Sequence, residues 1–212
     1  NIKILNDGNL LVGAACLDKK IANFALDNSL KDFEFLSCIP GSIGGAIAMN
    51  CGCYGYEISK LVISVDTVTF DGQLKTFNKN QIKFFYRGSD FGEPVIITSV
   101  KLKGIKGKKK EIQEKQNKFL DQKKKSQPSK IKTCGSTFKN PGNKKAWELI
   151  KDSGCINLRV GGAKLSNQHC NFFVNEGNAT SKDIELLIES VKNKVYLKTG
   201  INLDLEIKIV GK

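Results

Sequence analysis

The sequence has one His (His169), one Met (Met49), one Trp (Trp147) and only two Arg (Arg87 and Arg159). Its seven Cys, at 16, 38, 51, 53, 134, 155 and 170, include no Cys-x-x-Cys pair. Zinc ligands would have to come from scattered positions, so no metal site is expected. An odd thiol count leaves at least one thiol free and suits a reducing cytoplasm better than a disulfide framework. No apolar run reaches the roughly 20 residues of a membrane span, and no membrane insertion is expected. The opening Asn1-Ile2-Lys3-Ile4-Leu5 has no initiator Met and lacks the basic-then-apolar order of a signal peptide. Residues preceding Asn1 in the natural protein are therefore expected.

What is present is core-forming material: 40% hydrophobic and 26% charged residues over 212 positions, which excludes global disorder. The formal charge of +13 is concentrated. Residues 101–151 hold 17 Lys against 4 Asp+Glu, and the rest of the chain is balanced. Such a segment attracts polyanions. Nucleic acid fits it poorly, because Arg and stacking aromatics are sparse there. A solvated helix face or a site for a smaller anion remains.

Periodicity gives a strand at Leu10–Ala14, a helix near 20–28 and a strand over 61–70. The Asp71-Gly72 turn and Leu74–Phe77 complete a hairpin, and Pro94–Leu102 reads as another strand. Composition shifts at Gly104. Residues 107–125 read as a basic helix ended by Ser126-Gln127-Pro128-Ser129. Residues 143–153 read as a short helix closed by Gly154. The clearest helix is 181–198, striped by Ile184, Leu187, Ile188, Val191 and Val195 and stopped by Gly200. The end reads as a strand with Leu203, Leu205, Ile207 and Ile209 on one face and Glu206 on the other. Strands thus dominate the first half and helices the second, an α+β pattern with a boundary near 104.

Four motifs carry possible chemistry. The first is Pro40-Gly41-Ser42-Ile43-Gly44-Gly45, continuing to Asn50-Cys51-Gly52-Cys53-Tyr54-Gly55. Its glycines let backbone N–H groups approach a phosphate, and a helix starting near Gly44 would add its positive end. It is neither a Walker loop nor a Rossmann fingerprint, and a turn-rich core crossing explains it equally well. The second is Tyr86-Arg87-Gly88-Ser89, where Arg87 offers a fork for a carboxylate or phosphate, or is a surface Arg. The third joins Cys134-Gly135-Ser136-Thr137-Phe138-Lys139-Asn140-Pro141 with Ser166–Phe172. Ser136 is a candidate proton donor there, and His169 reads as a core histidine bonded to backbone. No nucleophile elbow supports a hydrolase. The fourth is Glu206, otherwise a solvated strand carboxylate.

In this order and spacing the motifs resemble those of the bacterial UDP-N-acetylenolpyruvoylglucosamine reductase family. The family's G-I-P-G-x-x-G-G-A-x-x-M-N-A-G-A-Y-G is similar to Cys38 through Gly55, and its Y-R-x-S to Tyr86 through Ser89. Its G-S-x-F-K-N-P is similar to Gly135 through Pro141. Its G-G-A-x-x-S-x-x-H-x-N-F is similar to Gly161 through Phe172, and its closing L-x-x-E-[VI] to Leu203 through Ile207.

The resemblance implies an α+β fold in two parts. Residues 1–103 would be the later part of a vanillyl-alcohol-oxidase/PCMH-type FAD-binding domain, and 104–212 an α+β substrate-binding domain. The Ser89–Val95 link resembles the family's short-loop type. A preceding stretch with the glycine-rich FAD pyrophosphate loop is implied, so the 212 residues alone would hold FAD poorly or not at all. FAD would meet Pro40, Gly41, Ser42, Gly44, Gly45, Asn50, Gly52 and Tyr54. NADPH would reduce it. A UDP-linked enolpyruvyl amino sugar would be held by Tyr86, Ser89, Lys139 and Asn140. Hydride would go to the alkene terminus, Ser136 would protonate the adjacent carbon, and Arg87 and Glu206 would stabilise the enolate. The implied setting is peptidoglycan precursor synthesis by a cytoplasmic monomer that binds no nucleic acid. Two departures stand out: Cys51 and Cys53 replace alanines, and Lys123-Lys124-Lys125-Ser126 stands where many members carry Arg. Another FAD-dependent oxidoreductase of the same superfamily and a basic nucleic-acid-binding module are the alternatives.

Overall fold

The computed structural model describes residues 1–128 and 131–211. The chain divides into two compact units, Asn1–Lys123 and Lys124–Lys212.

The first unit is built on a five-stranded antiparallel sheet. Its strands are β1 (Ile2–Ile4), β2 (Leu10–Gly13), β5 (Val62–Thr69), β6 (Leu74–Asn78) and β9 (Val95–Leu102), in the order β1-β2-β9-β5-β6. Alternation puts Leu10, Val12, Val65, Val100 and Leu102 on one buried face. Helix α1 (Asp18–Asp27) covers that face through Ile21, Ala22, Ala25 and Leu26. A 3-10 turn at Glu34–Cys38 adds Phe35 and Leu36, and α2 (Ile43–Ala48) adds Ile43 and Ile47. Two small hairpins stand beside the sheet: β3 (Gly52–Cys53) with β4 (Tyr56–Glu57), and β7 (Lys83–Phe85) with β8 (Gly88–Asp90). Both are shorter than the window in which alternation is visible, and the sequence reading missed them.

The basic helix is α3 (Lys109–Ser126). Ser129, part of the run expected to end it, lies outside the described residues. Ile112, Gln116 and Phe119 are buried, and Phe119 joins the first core. Lys115 pairs with Asp32 and Glu34 at 3.4 and 3.3 Å and lies over the Tyr56 ring. Lys123 donates to the Cys38 carbonyl at 2.7 Å, and Lys109 pairs with Asp27. The first compact unit therefore runs to Lys123, beyond the composition shift at Gly104. Charge changes where the helix region begins, but a thin apolar stripe keeps most of that helix on the first core.

The second unit carries a four-stranded antiparallel sheet. Its strands are β10 (Lys132–Ser136), β11 (Arg159–Val160), β12 (Ala163–Leu165) and β13 (Phe172–Asn175), in the order β10-β13-β12-β11. Helices still make up most of the regular structure in this half, as expected, and its strands are too short for a periodic signal. Helices α4 (Ala146–Asp152) and α5 (Ser181–Thr199) close its core with Ile150, Leu187, Ile188, Val191 and Val195. Helix α5 matches its sequence reading closely. Thr180 caps it reciprocally with Asp183, and Gly200 ends it at φ +70°.

The chain terminus corrects the reading. No regular strand forms over 203–209; a single bridge joins Leu205 to Phe138. Leu203 is buried and Leu205 and Ile207 are half-buried, but Ile209 is 55% exposed. The alternation was correct for packing up to Ile207, but the pairing stops at this bridge and the two backbone bonds that flank it, Glu206 N–H to the Thr137 carbonyl and Lys139 N–H to the Asp204 carbonyl.

Candidate active site

In the first unit the loop 40–42 enters α2 with its backbone on the surface. Pro40, Gly41 and Gly45 are exposed, whereas Ser42 and Gly44 are half-buried. Gly41 has φ +150°, a conformation that side-chain-bearing residues rarely adopt. A Cβ at Gly45 would meet nothing nearer than Ser42 Oγ at 4.0 Å, so that backbone is open to a ligand. Gly44 instead packs on Ala14. Helix α2 starts at Ile43, as expected, but has only six residues.

Gly52 is glycine for a different reason. A Cβ there would lie 2.3 Å from the Tyr56 carbonyl oxygen across the β3–β4 hairpin. Gly52→Ala is expected to cost about 1–3 kcal/mol, the usual penalty for overpacking. A lowered urea midpoint would show it, and an unchanged midpoint would contradict the steric assignment. Tyr54, at φ +53°, stacks on Phe119 with ring centres 5.1 Å apart.

Arg87 forms, with Tyr86, the two-residue tip of the β7–β8 hairpin. It has φ +58°, and its guanidinium lies 4.9 Å from the Tyr86 ring centre. Two hydrogen bonds fasten this hairpin to the glycine-rich segment. Buried Asn50 donates to the Phe85 carbonyl at 3.1 Å, and Ser89 Oγ donates to the Ala48 carbonyl at 3.2 Å. Asn50 Oδ1 also accepts from the Ser59 N–H. Asn50 and Ser89 therefore act as ties that set Arg87 beside the loop. The positive charge of Arg87 is felt at Cys51 and Cys53.

Beneath the same loop lies Asp18, which the sequence reading did not single out. It opens α1, is fully buried, and its N–H donates to the Gly41 carbonyl at 3.0 Å. Neither carboxyl oxygen has a hydrogen-bond partner among the described residues. Burial pushes its pKa from 3.8 to about 7. The folded state then holds a proton that the unfolded state releases. Stability should fall as pH rises from about 4 to about 7 and level off above that. Asp18→Asn should flatten this slope and raise the melting temperature at pH 8 more than at pH 5. Equal shifts at both pH values would contradict the assignment. The only sequence signal was a charged residue at the start of an apolar-faced helix, which usually means a solvated first turn.

In the second unit the structure brings Ser136 and Glu206 together on neighbouring segments. Ser136 ends β10 just after Gly135 (φ +85°), where the register with β13 shifts. The Thr137 N–H donates to the Asn171 carbonyl at 2.7 Å. Asn171 also bonds Phe138 twice through its amide, at 3.0 and 2.9 Å. The chain end lies along the other side. The Glu206 N–H donates to the Thr137 carbonyl at 2.9 Å, and the Lys139 N–H donates to the Asp204 carbonyl at 2.8 Å. Glu206 is half-buried, not solvated. Lys139 follows on the same segment, while Asn140 Oδ1 accepts from the Ala146 N–H and so fixes the start of α4. Asn171, which stands at the N of the H-x-N-F motif, is the organising residue to which sequence reasoning gave no role.

His169 is not fully enclosed in the core. It is half-buried, edge-on to Phe172 at 4.8 Å and tilted against Trp147, and its Nδ1 has no partner among the described residues. Burial lowers its pKa below the usual histidine range. Beside the sheet an open cavity of about 730 Å³ is lined by residues including Lys132, Lys164, Ser166, Gln168 and Glu176. Glu176 there pairs with Arg159 at 2.9 Å and also with Lys164. Among the described residues no His/Cys/Asp/Glu cluster suited to a metal ion occurs, and no helix is long and apolar enough to cross a membrane.

Comparison with known proteins agrees with this layout. Residues 2–78 match the FAD binding domain family, and residues 127–210 match the C-terminal domain of UDP-N-acetylenolpyruvoylglucosamine reductase. The UDP-N-acetylenolpyruvoylglucosamine reductase of Pelagibacter ubique is 46% identical over 99% of this chain and 70% of its own length. That of Rickettsia bellii is 41% identical over the whole chain and 70% of its own length. The crystal structure of the reductase from Thermus caldophilus superposes with a TM-score of 0.84 at 33% identity, covering 93% of this chain and 71% of that one. Glycine-rich loop, Arg hairpin and paired Ser and Glu segments thus sit in the fold that the resemblance implied, and the chain belongs to the UDP-N-acetylenolpyruvoylglucosamine reductase family of flavoprotein oxidoreductases.

Proposed function

We propose that this protein reduces UDP-N-acetylenolpyruvoylglucosamine to UDP-N-acetylmuramate in the cytoplasm, with NADPH as reductant. The observation that carries the reading is the pairing of the Ser136 and Glu206 segments through Glu206 N–H to Thr137 and Lys139 N–H to Asp204. It ties the segment that carries the Ser136 hydroxyl to the segment that carries the Glu206 carboxyl.

The residues of the first unit fit a flavin nucleotide. The backbone at Gly41 and Gly45 is open, and a buried, unpartnered carboxyl lies beneath it. In this reading Pro40, Gly41, Ser42 and Gly45 meet FAD directly. Gly44, Asn50 and Gly52 shape the loop, and Tyr54 borders it. Bound FAD supplies hydride transfer from NADPH to the enolpyruvyl alkene. The Ser136 hydroxyl delivers the proton to the carbon next to the carboxylate; a weak acid suffices against a strongly basic enolate. Arg87 holds the substrate carboxylate and stabilises charge as it develops. Glu206 supports the same anion, and Tyr86, Lys139 and Asn140 position the substrate. The second unit holds the sugar nucleotide.

The FAD-loaded protein, given NADPH and this substrate without oxygen, should yield a product heavier by two hydrogens. Mass spectrometry reads it directly. Unchanged substrate alongside steady flavin reduction by NADPH would overturn the substrate assignment and leave a different flavin oxidoreductase.

A further inference from the structure

The function proposed above gives residues to the reacting end of the substrate and none to its base. One cavity of the second unit also has no use in it. This cavity has about 400 Å³ and is lined by Trp147, Ile156, Gln168 and His169, with Lys151 one helical turn beyond Trp147 on α4. Trp147 and Ile156 are among the exposed large apolar side chains, and Trp147 is the only Trp of the chain. The indole is tilted against the His169 ring with centres 6.3 Å apart. His169 Nδ1 is buried and has no partner among the described residues. Gln168 donates through Nε2 to the Lys124 and Lys125 carbonyls at 3.2 and 3.1 Å, which leaves Oε1 as the accepting end of that amide. Two walls of the cavity are fastened to the residues assigned to chemistry. His169 rests edge-on against Phe172, the strand partner of Ser136, and Ala146, beside Trp147, donates to Asn140. The neighbouring 730 Å³ cavity shares Ser166 and Gln168 but has two lysines and no aromatic ring.

We infer that this 400 Å³ cavity holds the uracil base of the sugar nucleotide, stacked on Trp147 and read by Gln168 and His169. This rests on the substrate proposed above. Uracil is a flat ring with one ring N–H between two carbonyl oxygens. The cavity offers what that ring needs: an aromatic face, an amide oxygen for the N–H, and an unpartnered His169 Nδ1 for a flanking carbonyl in its Nδ1–H tautomer. The Lys151 ammonium adds positive charge for carbonyl oxygens or the nearest phosphate. Stacking on an indole tolerates any base, so Trp147 supplies affinity. Selectivity comes from the amide. Its Nε2 is held by two carbonyls, so Oε1 does not turn into a donor without breaking both bonds. Cytosine has no N–H between its substituents and would set a lone pair against that oxygen, leaving a buried acceptor unpaired.

The test uses UDP as the probe on the FAD-loaded protein. With one indole in the chain, tryptophan fluorescence reads this cavity directly. UDP should change that fluorescence saturably, and calorimetry should give the same affinity. CDP should bind at least about tenfold more weakly, the cost of one unpaired buried group. Trp147→Leu should weaken UDP binding about 5- to 100-fold, the range of base–aromatic stacking, and Trp147→Phe should recover most of it. Melting temperatures of both variants control for folding. UDP that binds by calorimetry while the indole stays silent and Trp147→Leu binds normally would overturn the cavity assignment and leave the substrate reading standing. Equal affinity for UDP and CDP would overturn the role given to Gln168. No binding of UDP at all would overturn the substrate reading and this inference with it.

Discussion

Ser136→Ala is expected to leave reduction of the FAD-loaded protein by NADPH at its normal rate. It should slow reoxidation by the enolpyruvyl substrate about 10²- to 10⁴-fold, the range typical of a positioned acid. The split follows from where Ser136 stands. It lies at the end of β10 in the second unit, whereas the glycine-rich loop belongs to the first. The hydroxyl is placed by backbone, through Gly135, the Asn171 bonds to Thr137 and Phe138, and the bonds to the chain end. Removing one oxygen therefore disturbs little of the fold, and an unchanged melting temperature should accompany the loss. Stopped-flow traces of the two half-reactions check this. Equal slowing of both would remove Ser136 from the proton-donor role.

Arg87→Lys should lower turnover about 10²- to 10³-fold, comparable to losing one preorganised donor to a developing anion. Lys keeps the charge but not the planar fork. Its flexible ammonium would also lose the stacking of Arg87 on Tyr86. The hairpin should survive, since Asn50 to Phe85 and Ser89 to Ala48 hold it without the Arg side chain. A KM and kcat comparison, with the melting temperature as control, reads the effect. Unchanged turnover would remove the carboxylate-clamp role.

The sequence was most informative where segments are long and periodic. Helix α5, β5 and β9 were legible because 8 or more side chains repeat one rule in each, and the Asp71-Gly72 turn announced its hairpin. The β3–β4, β7–β8 and β11–β12 pairs were not, because two or three residues carry no period. The chain end misled in a specific way. Its alternation described burial, and burial was read as sheet membership. In α3 the charge was more visible in the sequence than the stripe of Ile112, Gln116 and Phe119 that is buried. Of the site, motif residues could be named because glycines, Arg87 and Ser136 stand out by type. Asp18 could not, and Asn171 was named only as a motif position without a role, since their importance lies in what surrounds them: an enclosed carboxyl under Gly41 and an amide joining two segments.

The central claim is that the enolpyruvyl sugar nucleotide is the electron acceptor. The most direct measurement starts from the FAD-loaded protein reduced with NADPH under anaerobic conditions. The enolpyruvyl substrate is then added and flavin absorbance followed. Rapid return of the oxidised spectrum, with one UDP-N-acetylmuramate formed per flavin, is the predicted result. A flavin that stays reduced in the presence of this substrate would contradict the account.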